Sequence, residues 1–126
     1  MVLHSQFQDF ILFLYVHMAI SDGTLHSSEE QVILNKMTKL FPNENDLKKK
    51  LQLAVTEYKS LDSVMIMDVI KESFKHFDKV TFAQKYKVYA DMYDIVNADG
   101  KVEESEKYAL TSLKEIIDMN SQMSQG

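Results

Sequence analysis

Two of the chain's three glycines sit in the same device, and that repetition constrains the fold more than any other feature. "AISDGTLHSSEE" places Asp22-Gly23 before Leu25 and Glu29, and "VNADGKVEESE" places Asp99-Gly100 before Val102 and Glu106. Both read D-G-x-apolar-x-x-x-E, and both follow an apolar, helix-like segment. A match at fixed offsets in both halves points to one helix–loop–helix unit used twice. The rest of the chain agrees. One proline and three glycines leave little room for a many-turned β protein.

Apolar spacing places six helices. The first spans about 5–19, with Phe7, Phe10, Ile11, Leu14, Tyr15 and Met18 as a stripe and Leu12, Phe13 and Val16 on other faces. A helix apolar nearly all round belongs at the centre of a fold. The second spans about 27–40, with Val32, Ile33, Met37 and Leu40 inward, and Pro42 stops it because residues before proline avoid the helical region. The third spans about 44–58 behind an Asn43 cap, with Leu47, Leu51, Ala54, Val55 and Tyr58 inward and Lys48, Lys49 and Lys50 as a solvated face. The fourth spans about 63–77, capped by Asp62, with Ile66, Val69, Ile70, Phe74 and Phe77 inward. The fifth opens on "TFAQ", a capping box of Thr81 and Gln84, and continues through Tyr86, Tyr89, Ala90, Tyr93 and Val96. The sixth spans about 104–119, with Ala109, Leu110, Leu113, Ile116 and Ile117 inward. The fold class is all-α: one helical domain over residues 1–120 with two related helix-DG-loop-helix units, then a polar, frayed tail at 121–126. The first and fifth helices are expected to pack together at the core, Phe10, Leu14, Tyr89 and Tyr93 among them, with the two units related by an approximate two-fold.

The acidic loops admit two readings. A calcium loop of the EF-hand type places oxygen ligands at its first, third and fifth positions, a glycine at the sixth, an apolar residue at the eighth and a chelating glutamate at the twelfth. Aligned on Gly100, the second copy has Asn97 third, Asp99 fifth, Val102 eighth and Glu106 twelfth, but Ile95 first. The first copy has Met18 first and Ile20 third, keeping only Asp22 and Glu29. Calcium takes about six to eight oxygens, so neither copy is an EF-hand. The connector reading needs no ion. Gly after Asp supplies a positive φ, the Asp side chain caps nearby N–H groups, and the glutamate sits favourably in the first turn of the next helix. Two details strain that reading. The expected cap positions hold His26 and Glu103, neither a preferred cap. The second copy also gathers Asp94, Asp99, Glu103, Glu104 and Glu106 within little more than a turn of the loop, with Asp94 one turn before it.

These elements resemble the TerB-like domain of bacterial tellurite-resistance and stress-response proteins. That family's signature is an apolar helix ending in an "xxxADG" element, then a small linker and a helix opening with glutamate. Here "MAISDG" with Glu29 and "IVNADG" with Glu106 carry the resemblance, one near each end of the chain. It implies a small helical bundle with repeated helix pairs. It also implies that Asp22, Glu29, Asp99 and Glu106 are the acidic positions associated with divalent cations, with Asp94 as the acid preceding the loop. The matching position in the first copy is His17, which makes the two loops unequal.

Composition narrows the function. The chain has no cysteine, so disulfides, thiolate metal sites and cysteine nucleophiles are excluded. His4, His17, His26 and His76 form no H-x-x-x-H pair, no G-x-S-x-G elbow or phosphate-binding glycine loop occurs, and a carboxylate-bridged metal enzyme would need inward Glu-x-x-His pairs that are missing. The expectation is therefore a protein that is not an enzyme. The net charge of −5 disfavours nucleic acid, and it also disfavours an oxyanion such as tellurite at a carboxylate-rich site. The apolar run from Phe10 to Ile20 is too short for a membrane span, and no basic leader frames it, so a cytoplasmic protein is expected. Oxygen ligands imply a hard cation, Ca²⁺, Mg²⁺ or Mn²⁺, bound weakly, or an acidic face shown to a protein partner. The alternative is an interaction module whose DG loops are structural, with Met65 and Met67 offering an adaptable apolar surface.

Overall fold

A computed structural model describes residues 6–20, 25–77, 82–98, 107–108 and 110–115, with backbone alone at 82, 83, 85, 86 and 96. All the regular structure described is helical. The elements are α1 (Phe7–Ala19), α2 (Ser27–Leu40), α3 (Leu47–Lys59), α4 (Ser63–His76) and α5 (Phe82–Val96), followed by helical residues at 107–108 and 110–115, here α6.

Helix α1 is the axis of the molecule. Every residue from Phe10 to Val16, together with Met18 and Ala19, is buried. The helix packs against α5, α3 and α2. Helix α4 closes the remaining side through aromatic rings. Phe74 meets Phe10 edge-on at 5.2 Å, and Phe77 reaches Phe7 at 5.2 Å and Phe10 at 5.7 Å. Aromatic pairs in edge-to-face or offset-stacked geometry add about 0.5–1.5 kcal/mol beyond the area they bury. The apolar girth of α1, not its capping, holds it in place: its N-cap Gln6 makes no side-chain cap bond.

Part of the buried pattern follows the offset between the two Asp-Gly pairs. The offset that superposes Asp22-Gly23 on Asp99-Gly100 carries Ile11 to Val88, Tyr15 to Met92, Met18 to Ile95 and Ile33 to Leu110, and all eight side chains are buried. Other positions do not follow it: buried Phe10, Phe13 and Val16 match Lys87, Ala90 and Tyr93, which are exposed. Helices α1 and α5 pack together as expected, and α2 packs on both α3 and α5.

Local signals set most boundaries. Phe41, just before Pro42, has φ −130° and ψ 67°, outside the helical region, and ends α2. Asp62 caps α4 by accepting from Met65 N–H at 2.8 Å. Helix α3 starts three residues later than the spacing suggests. Asp46, not Asn43, is its cap and accepts from Lys49 N–H at 3.1 Å. Residues 42–45 instead form turns and a bend, with Glu44 N–H donating to Phe41 O at 3.1 Å. Lys50 departs from a solvated face: it lies 3.6 Å from Asp9 and 4.5 Å from the centre of the Phe41 ring.

The inward face of α5 also differs from expectation. Its buried residues are Val88, Met92 and Ile95, while Tyr89 packs at the core's edge and Tyr93 is 49% exposed. The tyrosine spacing and the buried stripe are one position apart on the same helix. Tyrosine tolerates the outer face because its phenol end is polar. The Thr81–Gln84 box and the 121–126 tail fall on or involve residues outside those described.

Candidate acidic site

Of the five candidate ligands, the structure describes Glu29 and Asp94; Asp22, Asp99 and Glu106 lie outside the described residues. Glu29 stands in the first turn of α2, and only 2% of its surface is exposed. His26 caps that helix in extended conformation, without a side-chain cap bond. A carboxylate leaves water only where positive charge or N–H donors meet it, so the burial of Glu29 marks the start of α2 as more than a solvated acidic turn. Asp94 is in the last turn of α5, directly before the turn at 97–98 that leads towards the second DG pair. Asn97 there is exposed, with its N–H donating to Tyr93 O at 3.1 Å.

Asp94 belongs to a network that spacing alone does not reveal. Lys36 of α2 donates to Asp91 Oδ1 at 3.0 Å and to Asp94 Oδ2 at 3.2 Å. Tyr15 of α1 donates its hydroxyl to Asp91 Oδ2 at 3.1 Å, and Lys87 Nζ lies 3.7 Å from the same oxygen. Asp91 and Asp94 are one turn apart on α5, so their carboxylates share a face. Three helices meet here, and these residues line a cleft of about 380 Å³ that Asn35, Lys39 and Leu40 continue.

The charges are mutually consistent. Burial opposes the charge on Lys36, but hydrogen bonds and attraction from Asp91 and Asp94 outweigh it and hold the ammonium's pKa above its ordinary value. The Tyr15 phenol is pushed well above its usual range, first by burial and then by the Asp91 charge beside it. Asp91 and Lys36 were absent from the candidates read in the sequence. A signal for Asp91 existed, since it precedes Asp94 by one turn and follows Lys87 by one. Lys36 had none.

The first repeat differs at the matching position. His17 Nδ1 lies 2.8 Å from the Tyr58 hydroxyl, across the α1–α3 interface. Burial lowers the His17 pKa to about 4 and raises that of Tyr58. A neutral histidine joined to a phenol is a packed polar pair, and its role is to hold two helices together.

Among the described residues no group of three or more acids or histidines is arranged to hold a metal, and no helix is long and apolar enough to cross a membrane. No curated protein matches the chain, and no solved structure does. The family model described as "Tellurite resistance protein TerB" matches residues 8–125, nearly the whole chain. With its all-helical fold and the two Asp-Gly units, the chain belongs to the TerB family.

Proposed function

We propose that this protein is a non-catalytic, cytoplasmic TerB domain that takes up a hard divalent cation weakly at its acidic loops, in a metal or general stress response. The observation that carries the reading is the burial of Glu29, the loop glutamate of the first unit. A divalent cation near that carboxylate would add positive charge to the interaction Glu29 already makes within the chain. The helix N-terminus supplies part of it too, so ion and backbone compete for the same oxygens. That competition, with few oxygen ligands per loop, sets dissociation constants around 10⁻⁴–10⁻³ M. A binding role rather than catalysis is supported by Tyr15 and His17. The described groups with the most perturbed acidity are both engaged in bonds that join helices.

The test is an NMR titration with CaCl₂ and MgCl₂ of the wild type, Glu29→Gln and Asp99→Asn. Saturable shifts at both loops, weakened at the first by Glu29→Gln and at the second by Asp99→Asn, support the reading. No saturable shift at millimolar cation, with the fold intact, overturns it.

One observation favours the interaction-module alternative. Val64, 70% exposed, and Met65 put apolar surface on the first turn of α4, and Leu53 adds more on α3. Met67, by contrast, packs against the core. If cations leave the spectrum unchanged while a polar Val64 variant loses a partner that the wild type retains, the DG loops are connectors and this surface is the functional one.

A further inference from the structure

Lys36 and Asp91 are two enclosed charges on different helices. The Lys36 ammonium of α2 lies 3.0 Å from Asp91 Oδ1 of α5, and the two side chains are only 19% and 20% exposed. The Tyr15 hydroxyl of α1 donates to the other oxygen of the same carboxylate at 3.1 Å. Asp91 is thus met by both helices of the first Asp-Gly unit, while it stands on the opening helix of the second. The outer members of the network are different. Asp94 and Lys87 lie mostly in solvent, which screens their charges. The pair that the packing of α2 on α5 encloses is Lys36 with Asp91.

The offset between the two units gives this charged pair an apolar counterpart. It matches Lys36 to Leu113 and Asp91 to Leu14, and both leucines are buried. Around them the faces of α1 and α5 are alike, since Ile11, Tyr15 and Met18 match Val88, Met92 and Ile95, all buried. The departures Phe10 and Phe13 lie on the side of α1 that α4 and α3 cover: Phe10 meets Phe74 at 5.2 Å, and Phe13 meets Tyr58 at 5.7 Å. A chain built this way faces a wrong pairing, in which the first units of two copies close on each other. Helix α1 of one copy would then take the seat of α5 against α2 of the other, and Leu14 would stand where Asp91 now meets Lys36. Two second units together would set Asp91 against Leu113. Either arrangement encloses charges with no partner, which is costly. Among these pairings, the unlike one brings lysine to aspartate.

We propose that Lys36 and Asp91 are a pairing key: they make unlike units meet and keep like units of two copies apart. The key needs no bound ion. An enclosed ion pair adds little net stability, because loss of hydration offsets the attraction, and apolar replacements of both partners are often neutral. Removing one partner is different, since it leaves the other charge enclosed and unanswered. The effect of the pair therefore falls on the choice between arrangements more than on the strength of one. A single polar contact in an apolar seam selects partners in coiled coils by the same physics. Here the selection acts at the seat of α2, whose lysine accepts the helix with an aspartate and rejects the helix with a leucine.

The experiment is sedimentation equilibrium of the full chain over a range of concentrations. It compares the wild type, Lys36→Leu, Lys36→Arg and Lys39→Leu. Lys36→Leu lets α2 accept Leu14 of a second copy and leaves Asp91 without its lysine. Lys36→Arg keeps the charge. Lys39 is an exposed residue of the same helix, so Lys39→Leu adds the same apolar surface without touching the pair. The expected result is that Lys36→Leu self-associates at least about tenfold more tightly than the wild type, while Lys36→Arg and Lys39→Leu do not. A smaller gain in Lys36→Leu overturns the proposal, and the lysine is then a strut between α2 and α5. An equal gain in Lys39→Leu overturns it too, because added apolar surface would explain the association. So does an equal gain in Lys36→Arg. Should Lys36→Leu not fold, the double variant Lys36→Leu/Asp91→Leu decides, since it encloses neither charge. Self-association at least about tenfold tighter than the wild type's supports the key, and a smaller gain overturns it.

Discussion

His17 and Tyr58 share a 2.8 Å hydrogen bond between α1 and α3, and burial around that bond keeps the imidazole neutral. Its pKa falls to about 4 in the folded chain, against an ordinary value of 6.5. Between those two values the unfolded chain binds the proton and the folded chain does not. Stability therefore falls as pH falls through that window, is fully present above about 6.5, and loses no more to this group below about 4. A shift of this size corresponds to up to about 3 kcal/mol. Denaturant unfolding between pH 7 and 4 should show a steeper loss for the wild type than for His17→Leu, which has nothing to titrate there. Equal slopes would mean that the histidine ring is solvated.

The helix caps give a prediction that separates Asp46 from Asn43. Asp46 and Asp62 each accept from an N–H of their own helix, so Asp46→Ala and Asp62→Ala should each cost about 1 kcal/mol. Asn43 lies in the turn before α3, and Asn43→Ala should change stability by less than about 0.5 kcal/mol. Chemical denaturation of the three variants measures all of this. A costly Asn43→Ala with a neutral Asp46→Ala would return the start of α3 to the earlier residue.

Sequence and structure agree where the deciding force is local. Pro42 fixes the end of α2, and Asp62 fixes the start of α4, because each acts within a few residues. The central place of α1 is legible too, since a helix apolar on every face has nowhere else to go. Helix α3 is different, because Asn43 and Asp46 are both good caps and nothing local chooses between them. The site divides in the same way. Asp94 is readable as an acid one turn before a loop, but its partner Lys36 lies 58 residues away on another helix. No spacing rule connects them; the packing of α2 on α5 does. The expected positive φ at Gly23 and Gly100 falls on residues outside those described.

Leu14 tests the axis itself. Its side chain is fully buried on α1, the helix around which α2, α3 and α5 pack. Leu14→Ala should cost about 2–5 kcal/mol, through lost transfer energy and the cavity left behind. A loss under about 1 kcal/mol in thermal or denaturant unfolding would show that the site collapses freely and that α1 is not the centre of the core.

Neighbouring positions on α5 test which face of that helix is inward. Met92 is fully buried in the stripe shared with Val88 and Ile95, and its counterpart in the first unit is the buried Tyr15. Tyr93, one residue on, is about half exposed. Met92→Ala should therefore destabilise by about 2–5 kcal/mol, whereas Tyr93→Ala should cost less than about 1 kcal/mol, since only part of its ring leaves a packed environment. Denaturant unfolding of the two variants side by side is the measurement. A reversal, with Tyr93 the costlier loss, would turn α5 by about 100° about its axis, since successive residues of an α-helix are that far apart. It would also carry Asp91 and Asp94 away from Lys36. The outcome at Met92 and Tyr93 thus bears on the acidic network as directly as on the core.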